Sequence, residues 1–195
     1  MSTPRHRHTP QAIWRTTPQP GQLSPPHGLS YPLALRLLAI YSRRRDTVHD
    51  ATADAAIAAA AATLSRAYRT HPDPAGAPAA LVITAHNPAT ETGVRGLVDA
   101  ARQVGDGGCL VAVIPAQRGR DRAQILADIT AVGLLPIHAI QAITDPAGTT
   151  GDRFTYHTPD PLPDPKAGHP LDPTEATHCW LVVATTPTRD DDSNA

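Results

Sequence analysis

The sequence predicts one α/β domain built on an open, mostly parallel, Rossmann-like sheet of about five strands, and three observations carry that reading. Apolar runs alternate with Ala-rich or amphipathic segments along the middle of the chain, the order of right-handed strand-helix-strand crossovers. Three of those runs, Leu81-Val82-Ile83-Thr84, Cys109 to Ile114 and Cys179 to Ala184, lack the polar alternation of a half-exposed strand, as strands covered on both faces do. A length of 195 residues suffices for one domain with a working core, and a second is not expected.

Taken in order, residues 1–30 are Pro-rich with little apolar periodicity and read as a disordered arm. Tyr31 to Tyr41 sets Leu33, Leu37, Leu38 and Tyr41 on one helical face, with Pro32 tolerated in the first turn. Thr47-Val48-His49 is a short β-prone stretch, and Ala53 to Tyr68 is helix-prone by composition. Leu81 to Thr84 is the next strand. Thr92 to Val104 carries Val94, Leu97, Val98 and Ala101 at helical spacing, and Gly105-Asp106-Gly107-Gly108 then turns the chain into the strand at Cys109. Arg120 to Val132 is an amphipathic helix, with Gly133 where a left-handed C-terminal residue is favoured. Leu135 to Ile143 is a strand, Arg153 to His157 a short extended piece and Cys179 to Ala184 the last strand. The domain is therefore drawn at residues 31–187, and residues 188–195, with three consecutive Asp, read as an acidic disordered tail.

Composition excludes several classes. Lys and Arg number 17 against 18 Asp and Glu, a net charge of -1, so no global positive field holds a polyanion and any nucleic-acid contact is local. Arg5-His6-Arg7-His8, or a rim of Arg95, Arg102, Arg118, Arg120 and Arg122, could supply one. The longest apolar run, Ala55 to Ala62, is far short of the roughly 20 residues that span a bilayer. The N-terminus lacks a secretory apolar core, and Cys109 and Cys179 give no disulfide framework, so a cytoplasmic location is expected. Ten His and two Cys contain no metal-ligand spacing, and no metal is expected. A nucleophile elbow, a phosphate-binding loop and a dinucleotide glycine triplet are also missing.

The helix ending in Tyr41-Ser42, the polar turn ending in Asp46, and Thr47-Val48-His49-Asp50 resemble the approach to the cofactor loop of class I S-adenosylmethionine-dependent methyltransferases. The likeness is greatest to the DNA and RNA amino-methylases, whose pattern continues Asp-Pro-Phe-x-Gly-x-Gly-Thr-Thr. Later elements follow the same order, with Asn87-Pro88-Ala89-Thr90 standing where that family has an Asn-Pro-Pro-Tyr-like loop. The resemblance implies that Asp50, Thr52 and Asp54 contact S-adenosylmethionine, and that Asn87 and the Pro88 carbonyl hold the target amine for methyl transfer to a flipped base.

Asp54 and Ala56 occupy the two positions where the family has Gly so that the backbone can approach the cofactor. Arg69 to Ala80 is too short for the two further strands that normally follow, the first of which ends in the acid that binds the ribose. Two functions are accordingly expected to compete: an amino-methylase of the DNA type with impaired or lost activity, a pseudoenzyme, or a non-catalytic remnant that binds protein or nucleic acid. Without those strands Val48 would lie on a sheet edge, where weak self-association or a protein partner is expected.

Overall fold

In the computed structural model, residues 11–16, 29–73, 75–86, 91–115, 122–144, 153–157 and 177–187 are described. The elements are β1 (Gln11–Thr16), α1 (Tyr31–Tyr41), β2 (Thr47–Asp50), α2 (Ala55–Thr63), β3 (Ala67–Arg69), β4 (Ala79–Ala85), α3 (Glu91–Ala101), β5 (Val104–Pro115), α4 (Arg122–Ala131), β6 (Leu135–Thr144), β7 (Arg153–His157) and β8 (Thr177–Thr185). They form one sheet of eight strands in the order β3-β2-β4-β5-β8-β6-β1-β7. Neighbours β3, β2, β4 and β5 run parallel, as do β6 and β1. Strand β8 lies antiparallel between β5 and β6, and β7 antiparallel on β1.

Alternation along the central strands divides the core into two layers. Leu81 and Ile83, Val111 and Val113, and Leu181 and Val183 face α1 and α2, which contribute Leu33, Leu37, Leu38, Ile57, Ala60 and Ala61. Val82, Leu110, Ala112, Ile114, Val182 and Ala184 face α3 and α4, which contribute Leu97, Ala100, Ile125 and Ile129. Because these strands are covered on both faces, they carry the unbroken apolar runs that the sequence shows. The small side chains of α2 leave room for α1 beside it, and Tyr31 on α1 exchanges a 2.9 Å hydrogen bond with Thr63 on α2.

Several expectations change. The sheet has eight strands rather than about five. The expected helix over Ala53 to Tyr68 is cut short at Thr63, because Ser65 adopts φ 55° and Arg66 leads into β3. Alanine propensity gives no stop signal there, so tertiary pairing of β3 with β2 decides the boundary.

Consequently Val48 is not on an edge. Strand β2 is paired on both sides, with Val48 opposite Tyr68 of β3 and Leu81 of β4, and the outer strand is β3. Only one of the two expected losses remains. Within the segment read as an arm, Gln11–Thr16 forms β1, and Trp14 and Leu29 are fully buried in the α1/α2 layer. The glycine cluster expected as a turn lies inside β5, where Gly107 has φ 67°.

Candidate functional site

The sheet reverses its direction of winding at β2: the chain passes from β2 outward to β3, then returns to β4 on the other side of β2. In open α/β sheets, ligands lie outside the carboxyl ends of the strands at such a switch point. Here that crevice is bordered by the loop from Asp50 to Asp54 and by the end of β4. Ala51 donates its amide to Ile83 O at 2.9 Å, which ties the two borders together.

Asp50 ends β2 with its side chain fully buried. One carboxylate oxygen accepts from the Thr52 amide at 2.9 Å and the Thr52 hydroxyl at 2.5 Å. The other accepts from the Asp54 amide at 2.9 Å and the Tyr68 hydroxyl, on β3, at 3.0 Å. Asp54 is itself buried and caps α2, accepting from the Ala56 amide at 2.8 Å. Ala53, between them, takes φ 54°, a left-handed conformation that strains a residue with a Cβ. Burial, the charge of Asp50 and the hydrogen bond to it all push the Tyr68 hydroxyl well above its usual pKa.

Beyond β4, the His86 amide donates to Val113 O at 2.9 Å, and its ring Nε2 lies 3.5 Å from Asp128 Oδ2 on α4. His86, the last described residue of this stretch, is thus held from two directions. On the α3 face of β2, burial holds His49 below its usual pKa, opposed by the neighbouring Gln103 side chain and assisted by the Arg69 charge.

Six parallel strands, a switch point beside an acid-ended β2, and an antiparallel β8 between parallel β5 and β6 make up a Rossmann-like closing pattern. The chain has a Rossmann-like α/β fold. This Rossmann-like fold is similar to several solved structures of methyltransferases. One is the N-methyltransferase NodS from Bradyrhizobium japonicum WM9 in complex with S-adenosylhomocysteine, at 13% identity, 80% of this chain, 85% of that chain and a TM-score of 0.43. A TehB-like S-adenosylmethionine-dependent methyltransferase from Corynebacterium glutamicum aligns at 12% identity over 78% of this chain and 86% of that one, TM-score 0.43. An rRNA methylase from Streptococcus thermophilus aligns at 12% identity over 79% and 94%, TM-score 0.41. No protein-family model and no curated protein matches the sequence.

Of the residues singled out in the sequence, the Rossmann-like fold brings Asp50, Thr52 and Asp54 together in one hydrogen-bonded loop. Asn87 and Pro88 lie outside the described residues. Sequence reasoning missed Tyr68 and the pair His86 and Asp128, because each reaches its partner only through strand pairing or helix packing. Among the described residues no group of three or more His, Cys, Asp or Glu side chains could hold a metal, and no helix is long and apolar enough to cross a membrane. A cleft of about 490 Å³ lined by Val98, Ala101, Arg102, Ala131, Val132 and Gly133 lies between the ends of α3 and α4, away from the crevice.

The donors of this loop are turned onto its own carboxylates. The amides of Thr52 and Asp54 donate to the Asp50 carboxylate and the amide of Ala56, in the first turn of α2, to that of Asp54, so these three donors do not face a ligand. Asp54 and Ala56 set side chains where the resemblance requires bare backbone. At and just past the end of β3, where the resemblance places a ribose-binding acid, stand Arg69, Thr70 and His71. The nearby acid Asp73 is held by Arg69 at 3.2 Å and by the Ala75 amide at 2.7 Å.

Proposed function

We propose that this chain is a methyltransferase-fold protein of the nucleic-acid amino-methylase type in which methyl transfer is impaired or lost, so that the domain binds rather than catalyses. The observation that carries this reading is the closure of the Asp50 to Asp54 loop upon its own carboxylates. A cofactor entering there would have to break charge-assisted hydrogen bonds, each worth about 1.5–3 kcal/mol.

Calorimetric titration with S-adenosylmethionine tests it. The expected result is a dissociation constant weaker than about 1 mM, corresponding to no more than roughly 4 kcal/mol of binding free energy. Saturable binding at micromolar concentration would overturn the proposal.

A second reading, a working transferase, is favoured by the double anchoring of His86, through Val113 and Asp128, just before Asn87 in the sequence. On that reading Asn87→Ala lowers turnover on an adenine- or cytosine-bearing substrate without changing stability, since the Asn87 side chain would hold the target amine.

A further inference from the structure

At the opposite ends of the same strands, a compact basic platform has no role in the crevice. Arg43, Arg44 and Arg45 follow one another in the turn between α1 and β2, and all three side chains are exposed. The turn is closed by Asp46, whose carboxylate accepts from the Arg43 amide at 2.7 Å and whose own amide donates to Arg43 O at 3.1 Å. Arg45 takes φ 71° and donates its amide to Ser65 O at 2.9 Å, while Ser65 takes φ 55°. Two left-handed turns, one before β2 and one before β3, are thereby locked together.

Arg66 fixes the platform from behind. Its guanidinium donates to Ser42 Oγ at 3.0 Å, Ser42 O at 2.9 Å and Leu64 O at 2.6 Å, all neutral acceptors at the C-terminal ends of α1 and α2. It satisfies the carbonyls of those helix ends, which leaves the three arginines of the turn unused for that purpose. Among the described residues none of the four guanidinium groups lies within ion-pair distance of a carboxylate. One carboxylate, that of Asp46, accompanies four cations.

We propose that Arg43, Arg44 and Arg45 form a contact site for the phosphate backbone of a nucleic acid. The guanidinium fork matches a phosphate in bidentate fashion. A duplex offers one charge per about 1.7 Å of its axis, a density of phosphates that three consecutive exposed guanidinium groups on one turn can meet. An acidic peptide would need its carboxylates placed in register. The site lies beyond the crevice by the length of β2, about 13 Å for its four residues, and stands whether or not the crevice holds a cofactor.

The test is fluorescence anisotropy of a short labelled DNA duplex with the full chain at a series of salt concentrations. Three neutralised phosphates give a slope of log K against log salt near -2.7, so affinity should fall about 40-fold between about 50 and 200 mM salt. In Arg44→Gln the slope should shrink by about one unit. In the triple variant Arg43→Gln, Arg44→Gln, Arg45→Gln, it should approach zero, with circular dichroism unchanged. Three outcomes would overturn the proposal: no duplex binding at low salt, a folded triple variant that binds as tightly as the parent, or displacement of the duplex by a polyglutamate peptide at a lower charge concentration than by unlabelled DNA. The last would assign the platform to an acidic protein segment.

Discussion

Replacing Asp50 by Ala removes the acceptor for four hydrogen bonds at once: those from the Thr52 amide, the Thr52 hydroxyl, the Asp54 amide and the Tyr68 hydroxyl. Hydrogen bonds to a charged group are worth about 1.5–3 kcal/mol each, but they do not add, because water can reach the partly exposed Thr52 in the variant. The Asp54 amide is buried and stays unsatisfied, and the half-buried Tyr68 hydroxyl loses its charged acceptor. The expected destabilisation is about 4 kcal/mol, a large share of the roughly 5–15 kcal/mol that holds a typical domain together. Asp50→Asn keeps one accepting oxygen but turns an amide group toward a donor, and should cost about half as much. Urea unfolding followed by far-ultraviolet circular dichroism reads both. With a slope of about 2 kcal/mol per molar urea, the midpoint should fall by about 2 M for Ala and about 1 M for Asn. A shift below about 0.5 M for Asp50→Ala would refute the reasoning, since a carboxylate of that value cannot organise the loop.

Further expectations follow from individual side chains. Because the folded pKa of Tyr68 is raised, stability is complete below the unfolded value near 10 and declines as pH rises above it; Tyr68→Phe should remove that part of the alkaline slope in thermal melts taken between pH 9 and 11. His49 is held below its usual value, so the unfolded chain binds its proton first and stability should fall as pH drops below about 6.5, less steeply in His49→Gln. A Cβ at Gly108 would lie 2.9 Å from Gly105 O and 3.0 Å from Ala80 O, so Gly108→Ala should cost on the order of 2 kcal/mol by strain between β5 and β4, measured by the same urea series.

The parts of the fold visible in the sequence are those that local chemistry dictates. Apolar runs such as Leu81 to Thr84 mark β4 because burial on both faces needs no polar alternation, and Gly133 marks the end of α4 because it takes φ 86°. The parts that were missed are those decided by distant partners. Gln11–Thr16 carries no strand pattern of its own and becomes β1 by pairing with β6 and β7. Ala67–Arg69 is three residues long and exists only because β2 offers it a parallel neighbour. At the site, the acid at position 50 was legible from its place at a strand end, whereas the contribution of Tyr68 depends on β3 and could not be read without it. The missing glycines were legible too, but their consequence was not: the loop replaces an open backbone by two carboxylates that bind its own amides.

The account stands on that self-satisfied loop, and the amides of Thr52 and Asp54 report on it directly. In a nitrogen-15 heteronuclear titration of the full chain with S-adenosylhomocysteine, both amide resonances should stay in place up to about 1 mM ligand, the affinity limit set above. Both should also exchange slowly with solvent because their partner is the buried Asp50 carboxylate. Saturable shifts of those two resonances with a micromolar midpoint would contradict the account, since the donors would then be open to the cofactor after all.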